Sequence, residues 1–461
     1  MKNINKITIM NICSTILLQG IAFFSAPIFT RLLGAEQYGY YSIFSSWSAL
    51  LTCIMGFGVG STLATGKYRF RDVYYEFRSS ILLFGTLLSL IVSGIILLII
   101  RPLSYVLGYE PWSIVLVLLS SISQYVIGFA QGVYVYEKEA RKNFILSVVI
   151  SILSVVWSVL LILSFSESKR YMGRIYGFLI PHILAAFFVW CTIFLKKPIG
   201  LKKRYIQFAF IVGFPTIFHT LAHSVLVQSD KVMMQYMGVS SSEIGIYSIY
   251  YTFVGVMSTI LNALNTSWVP FYYDDVDAKN WEILNIKCKN YIELFTILTC
   301  GFLLLAREVA YLLAGREYWN GINIIPIIVL AVYFTFMYQF PVNFEFFHKK
   351  TKLIAMGTIC AAIINIILNI IMIPLAGMYG AAVATALSYG LLFVFHYQII
   401  RHIKEHPYHL KMNVFIFGLV MVFFSSIMFY FLAGYWYIRW IFGVIMGIFE
   451  LRKIIKRKTI F

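Results

Sequence analysis

The stretch from Ile81 to Ile100, ILLFGTLLSLIVSGIILLII, carries no charge, and the nearest charges on either side are Arg78 and Arg101. A hydrocarbon layer about 30 Å thick is crossed by about 20 residues of α-helix. A helix also satisfies each backbone N–H and C=O within the segment, which lipid cannot do. The stretch therefore reads as a membrane-spanning helix. Working outward, comparable runs lie near residues 8–30, 40–64, 79–100, 112–135, 144–165, 175–195, 206–228, 244–268, 290–312, 322–346, 353–373, 378–400, 413–433 and 435–450. The expected fold is an all-α integral membrane protein with about 14 transmembrane helices.

Composition agrees. Of 461 residues, 60% are hydrophobic and only 12% charged, too little polar surface to cover a water-soluble globule of this size. The 40 Phe, 32 Tyr and 9 Trp suit lipid-facing surfaces and membrane–water interfaces. A net charge of +18 raises nucleic acid as a partner, but the basic residues form short clusters between apolar runs, so no nucleic-acid partner is expected. Topology explains them better, because cytoplasmic loops retain Lys and Arg. With the N-terminus inside, roughly three-quarters of the basic residues fall in cytoplasmic segments, which places both termini in the cytoplasm and the chain in the cytoplasmic (inner) membrane. The uncharged stretch from Met412 to Ile438 accommodates one span or two; two keep the tail Arg452, Lys453, Lys456, Arg457 and Lys458 inside. Lys2 and Lys6 precede an apolar run with no small-residue cleavage site, so that run is expected to remain as the first helix. The six cysteines show no metal-ligand spacing and read as small buried hydrophobes.

Two segments repeat a pattern: Gly39-Tyr40-Tyr41-Ser42-Ile43 and Gly245-Ile246-Tyr247-Ser248-Ile249, each a few residues after a glycine, Gly34 and Gly238. Both stand where the first helix of a half turns into the second. The chain thus reads as an N-lobe over 1–200 (helices 1–6), a C-lobe over 201–401 (helices 7–12), and a terminal helix pair with a basic tail over 402–461. Six spans is an even number, so the halves enter the membrane in one direction, related by a pseudo-two-fold axis along its normal and enclosing a central cavity.

Four blocks resemble the oligosaccharide flippases, the polysaccharide transporter family of the multidrug/oligosaccharidyl-lipid/polysaccharide exporter superfamily. They are APIFTRLLGAEQYGYYSIF from Ala26 to Phe44; Phe214-Pro215 through Ser229-Asp230-Lys231 to Gly245-Ile246-Tyr247-Ser248; Leu312 to Tyr318 with Pro326; and Asn365 to Asn369 with Pro374, Gly377, Gly380, Ala381 and Ala382. Lys231 departs from the arginine usual there. The resemblance implies a flippase rather than an enzyme, carrying undecaprenyl-diphosphate-linked oligosaccharide across the membrane for O-antigen, capsule or exopolysaccharide assembly. It also implies membrane lipids, a polysaccharide polymerase and a chain-length regulator as partners. The alternative is an ion-coupled exporter of cationic drugs, which needs an acid-lined cavity. A membrane-embedded polymerase would show one long extracytoplasmic loop, and every loop here is short; no paired-carboxylate or GxGxxG motif supports an enzyme.

Moving a diphosphate and a hydrated sugar through hydrocarbon calls for a polar, cationic path. A basic residue inside a span costs roughly 2.5 to 3.5 kcal/mol unless it faces protein or water. The candidate cavity cations are Arg31, Lys231, Arg307 and Arg439. The guanidinium fork of Arg31, after a helix with Asn11, Gln19 and Pro27, suits phosphate, and its competing role is interfacial snorkelling. Arg307 and Arg439 equally suit anchoring roles, Arg307 with Glu308 beside it. Asp230 and Lys231 are adjacent, about 100° apart on a helix, so they do not face each other. Asp230, His219, His223, Glu293 and Glu345 are candidates for H+ or Na+ coupling; no other cofactor and no metal site is expected. The pairs Gln124 and Gln131, Asn262 and Asn265, and Asn365 and Asn369 each share a helix face and serve either a sugar path or interhelical hydrogen bonding. Prolines 27, 181, 215, 270, 326, 341 and 374 supply kinks.

Overall fold

A computed structural model describes residues 2–107, 110–196, 200–402 and 411–457, with side chains from residue 20 onward except 22 and 106. The side chains of Lys2, Lys6, Asn11, Cys13 and Gln19, and Lys458 entirely, lie outside the described residues. The described residues are all-helical, without a strand. In order the helices are α1 (Lys2–Ile54), α2 (Leu63–Arg69), α3 (Tyr74–Leu98), α4 (Ile100–Leu107), α5 (Pro111–Tyr136), α6 (Ala140–Ser164), α7 (Arg170–Phe194), α8 (Lys203–Tyr236), α9 (Ser241–Asp277), α10 (Trp281–Leu313), α11 (Ile325–Phe347), α12 (Thr351–Arg401), α13 (Met412–Phe431) and α14 (Trp436–Arg457). The run that opens the sequence reading lies in α3 up to Leu98, with Ile99 as its cap and Ile100 opening α4.

Among the described residues, 11 continuous segments are long and apolar enough to cross a membrane. Fewer segments than the fourteen expected spans are counted because the chain folds back inside two of them. α12 has 51 residues, about 75 Å if straight. Yet Asn365 Nδ2 donates to Thr385 Oγ1 at 3.3 Å, two groups that a straight helix would hold about 30 Å apart. The reversal occurs at Ala376 and Gly377, where Gly377 takes φ 51°, ψ −128°, a conformation that only a residue without Cβ adopts readily. α12 is therefore two arms, 351–375 and 378–401. α1 reverses in the same way at Gly34 (φ 70°, ψ 172°): the Arg174 guanidinium stacks on Phe29 at 3.8 Å and on Tyr41 at 4.7 Å, one ring from each side of the break. α14 is not among the eleven; its last turns carry Arg452, Lys453, Lys456 and Arg457.

By internal contacts the chain divides into two compact units, Met1–Gly245 and Ile246–Phe461. In unit 1, α6 and α7 pack closely because Gly173 and Gly177 form a small-xxx-small stripe. A Cβ on Gly173 would lie 2.6 Å from the Ile162 nitrogen, and one on Gly177 would lie 2.5 Å from Ser158 Oγ. α8 packs against α1 and the 3-10 segment Met55–Thr62, whose Gly58 meets Gly213 backbone to backbone; a Cβ on Gly213 would lie 2.8 Å from the Gly58 oxygen. Arg78 at the head of α3 is ion-paired at 2.5 Å with Glu137, both nearly fully buried. Lys202, outside the spans, donates to Glu76 Oε2 at 2.6 Å, and that hydrogen bond raises its ammonium above the usual lysine range.

Unit 2 is built on an aromatic core. Trp268, Tyr272, Tyr291, Phe295, Tyr333, Phe336 and Phe340 are all fully buried, with Phe295 and Phe336 stacked at 4.3 Å. Rings of this size bury a large area each and lock one another edge-to-face or offset. Outward-facing apolar residues such as Leu160 and Leu163 of α6 or Phe417, Phe423 and Phe431 of α13 are well exposed, as surfaces solvated by lipid should be.

The repeated motif marks a reciprocal crossing. A Cβ on Gly39 would lie 3.2 Å from the Gly245 nitrogen, and one on Gly245 would lie 3.0 Å from the Gly39 nitrogen. Each Cβ would also strike the carbonyl four residues before its opposite number, Ser241 O in one direction and Ala35 O in the other. Ala35-xxx-Gly39 and Ser241-xxx-Gly245 are thus two small-residue stripes pressed face to face.

Candidate functional site

A broad polar face runs along the middle of α8. Thr216, His219, Thr220, His223, Ser224, Gln228 and Lys231 recur at spacings of three and four, which places them on a shared face. One edge of that face is sealed against the N-terminal segments of unit 1. Ser61 Oγ and Thr216 Oγ1 are 3.0 Å apart, Cys53 Sγ and Ser224 Oγ 2.8 Å, and Ser46 Oγ donates to Gln228 Oε1 at 3.3 Å. The other edge, His219, Thr220 and His223, is exposed. Leaving an amide or hydroxyl in hydrocarbon without a hydrogen bond costs roughly 2 to 7 kcal/mol. An exposed polar strip within a span of mean hydropathy 1.6 therefore marks a surface met by water or polar ligand.

Lys231 sits at the end of this strip, half-buried, with Nζ donating to Gln228 Oε1 at 3.4 Å. Asp230, about 100° round the helix from Lys231, is 1% exposed. Arg31 is exposed on the first arm of α1, three residues before the Gly34 reversal. Gln124 and Gln131 are engaged within the helix packing: Gln124 Nε2 donates to Ser120 Oγ at 3.0 Å and Gln131 Nε2 to Ser147 Oγ at 2.9 Å. Unit 1 also holds a cavity of about 510 Å³ lined largely by aliphatic side chains, with the rings of Tyr40, Phe44, Trp47, Trp112 and Tyr171 among them.

In unit 2 the expected cations are committed elsewhere. Arg439, read from sequence as a cavity cation, has no exposed surface. Its guanidinium donates to the Leu432 oxygen at 3.0 Å, the Leu304 oxygen at 3.2 Å and the Glu308 carboxylate. It fastens the α13–α14 hairpin to α10. Trp440 Nε1 donates to the other oxygen of Glu308 at 3.3 Å, so Glu308 neutralises Arg439 rather than its neighbour Arg307. Arg307 donates to Asn323 Oδ1 at 2.7 Å and lies over the Phe429 ring at 4.8 Å. Glu293 is held by Lys453 and Arg457, and lines a cavity of about 570 Å³ with Lys289, Asn413, Phe417, Phe449 and Lys453.

Among the amide pairs of unit 2, Asn262 is exposed and Asn265 accepts from Asn343 Nδ2 at 3.0 Å. Thr266 and Ser267 on the same helix are exposed too. Asn365 and Asn369 are fully buried, Asn369 Nδ2 donating to Asn365 Oδ1 at 3.1 Å, while Asn365 reaches Thr385 on the other arm of α12. Glu345 is buried against His396, Nδ1 to Oε1 at 2.9 Å.

Three groups escaped the sequence reading. Arg78 looked like a flank of the opening stretch and Glu137 a loop acid, and their pairing across 59 residues leaves no local trace. Arg174 donates to Ser158 Oγ at 2.7 Å between two rings. His396 is a single histidine in an apolar run, and its position in the last third of a span was the only available signal.

Eleven apolar segments long enough to cross a membrane, among the described residues, define a multi-pass membrane protein. The chain belongs to the polysaccharide biosynthesis protein family, which it matches over residues 4–273. Two proteins of Haemophilus influenzae are similar along most of their length. One is described as an uncharacterized membrane protein, 23% identical over 413 residues, 84% of this chain and 95% of that one. The other is the Lsg locus putative protein 1, 23% identical over 383 residues, 78% and 91% of the two chains. Among solved structures, the fold is similar to that of the lipid II flippase MurJ in an inward closed conformation, with a TM-score of 0.73 at 16% identity, covering 98% of this chain and 99% of that one. It is also similar to an inward-facing multidrug resistance MATE family transporter of the MOP superfamily, with a TM-score of 0.63 at 14% identity, covering 91% and 98%.

Proposed function

We propose that this protein is a flippase that moves an undecaprenyl-diphosphate-linked oligosaccharide repeat unit from the cytoplasmic to the outer leaflet of the cytoplasmic membrane, with both termini inside, for O-antigen, capsule or exopolysaccharide assembly. The observation that carries this reading is the exposed strip His219, Thr220 and His223 beside Lys231 on one face of a membrane-spanning helix, in a chain of the polysaccharide biosynthesis family. A hydrated sugar needs such a surface, and the diphosphate needs cations. Arg31 and Lys231 are assigned to the diphosphate and the strip to the sugar, while the polyprenyl tail stays in lipid. Translocation requires no covalent chemistry. A polymerase and a chain-length regulator would consume the product.

Deleting the gene is expected to remove one surface polysaccharide and to build up its lipid-linked repeat unit on the cytoplasmic side. Unaltered surface polysaccharide in the deletion strain overturns the proposal. A hydrogen bond to a charged group contributes about 1.5 to 3 kcal/mol, so Arg31→Ala and Lys231→Ala are each expected to lower export by about 10- to 100-fold at normal protein abundance. Full export from both variants removes these two residues from the diphosphate site.

A further inference from the structure

Glu345, near the end of α11, and His396, near the end of the second arm of α12, are a titratable pair that the transport reading does not use. Their side chains are 0% and 1% exposed. One hydrogen bond joins them, and the remaining atoms, Glu345 Oε2 and His396 Nε2, have no hydrogen-bond partner among the described residues. Tyr338 stacks on the imidazole at 6.4 Å between centroids. Gly357, on the first arm of α12, lets the ring approach: a Cβ there would lie 2.6 Å from Nε2.

Counting protons fixes what this pair holds. A carboxylate beside a neutral imidazole carries one net negative charge, which burial strongly disfavours. One added proton makes the pair neutral, as carboxylate with imidazolium or as carboxylic acid with imidazole. A second proton would again leave a buried charge, now positive. The ionisable side chains on these elements are Tyr333 and Tyr338 on α11, with His348 just after it, Lys352 and Cys360 on the first arm of α12, Tyr379, Tyr389, Tyr397 and Arg401 on the second arm, and Lys411 just before α13. None is hydrogen-bonded to Glu345 or His396, so the charge balance is internal to the pair.

The pair also lies close to water. Glu345 is two residues from the end of α11 and His396 five from the end of α12, about one turn or less and about a turn and a half from a basic rim of Lys349, Lys350, Lys352 and Arg401.

We propose that Glu345 and His396 together form a proton-binding site, which holds one proton while buried and exchanges it with the cytoplasm when water reaches Oε2 and Nε2. The ligand is a proton; it is taken up and released without any other reactant. This assignment rests on the transport reading for its purpose, supplying a site where a proton gradient acts on unit 2, but its existence is measurable without transport.

The test is infrared difference spectroscopy of the full-length protein in lipid nanodiscs, without substrate, between H2O and D2O buffers at about pH 7, where exposed carboxylates are ionised and carry no exchangeable proton. The expected result is a carboxyl or imidazole band pair that is lost in Glu345→Gln and in His396→Gln and retained in Glu293→Gln. Glutamine keeps the size of either side chain and a hydrogen-bonding atom. Loss in neither variant, or in only one, overturns the proposal. So does a wild-type spectrum with no such band, which needs no variant to fold. A flippase assay that fails while the bands behave as expected would reject the substrate and leave the proton site standing.

Discussion

Replacing Gly245 with leucine is expected to abolish recovery of folded protein, and replacing it with alanine to destabilise the fold by about 1 to 3 kcal/mol. Alanine is the better helix former by about 1 kcal/mol, so propensity alone predicts the opposite sign. The reason is what the new Cβ meets. On Gly245 it strikes the Ala35 carbonyl and approaches the Gly39 nitrogen at 3.0 Å; these are backbone atoms, which cannot rotate away as a side-chain tip can. Gly39→Ala should behave alike, because its Cβ meets Ser241 O and the Gly245 nitrogen in the mirror arrangement. Gly128 is the control: nothing lies within 4 Å of a Cβ built there, so Gly128→Ala should leave stability unchanged or raise it. Thermal unfolding in detergent checks all three. An alanine at 245 as stable as one at 128 would mean that the crossing is not closely packed.

Glu308→Ala is expected to be the most damaging single change in unit 2, by about 3 to 5 kcal/mol, since it strands a fully buried guanidinium. Arg439 would keep its carbonyl partners Leu432 O and Leu304 O, which accept hydrogen bonds but cannot balance a charge. The double variant Glu308→Leu with Arg439→Met removes both charges and should recover much of the loss, because well-packed apolar residues often replace a buried pair at little cost. Recovery should be incomplete, since the carbonyls at the end of α13 lose their donor. A double-mutant cycle on unfolding temperature measures the coupling; additive effects would show that the two side chains do not act together.

The helical membrane fold was legible because lipid imposes one strong rule, that spans be apolar and internally hydrogen-bonded, and runs such as Ile81–Ile100 obey it in isolation. The reversal at Gly377 was legible too, since Pro374 and Gly377 interrupt an apolar pattern. The five-residue repeat at Gly39 and Gly245 reported its place in the fold, though not that the two copies press on each other. Side-chain pairing was illegible. Arg439 and Glu308 stand 131 residues apart and His396 and Glu345 stand 51 apart, and hydropathy gives a cation in a span the same value whether it faces a substrate or a buried carboxylate. Lys231 stayed a candidate for a different reason: its place on the polar face of α8 follows from helix periodicity alone, and the neighbouring His219, Thr220 and His223 are exposed.

The central claim is translocation of a lipid-linked sugar, and reconstitution tests it most directly. Purified protein is placed in liposomes loaded with undecaprenyl-diphosphate-linked repeat unit in the inner leaflet, and the sugar reaching the outer leaflet is measured with a membrane-impermeant glycosidase. Protein-dependent appearance of cleavable sugar, reduced by about 10-fold or more with Lys231→Ala, is the predicted result. Sugar that stays protected in liposomes containing the folded protein, under any imposed pH or sodium gradient, would contradict it.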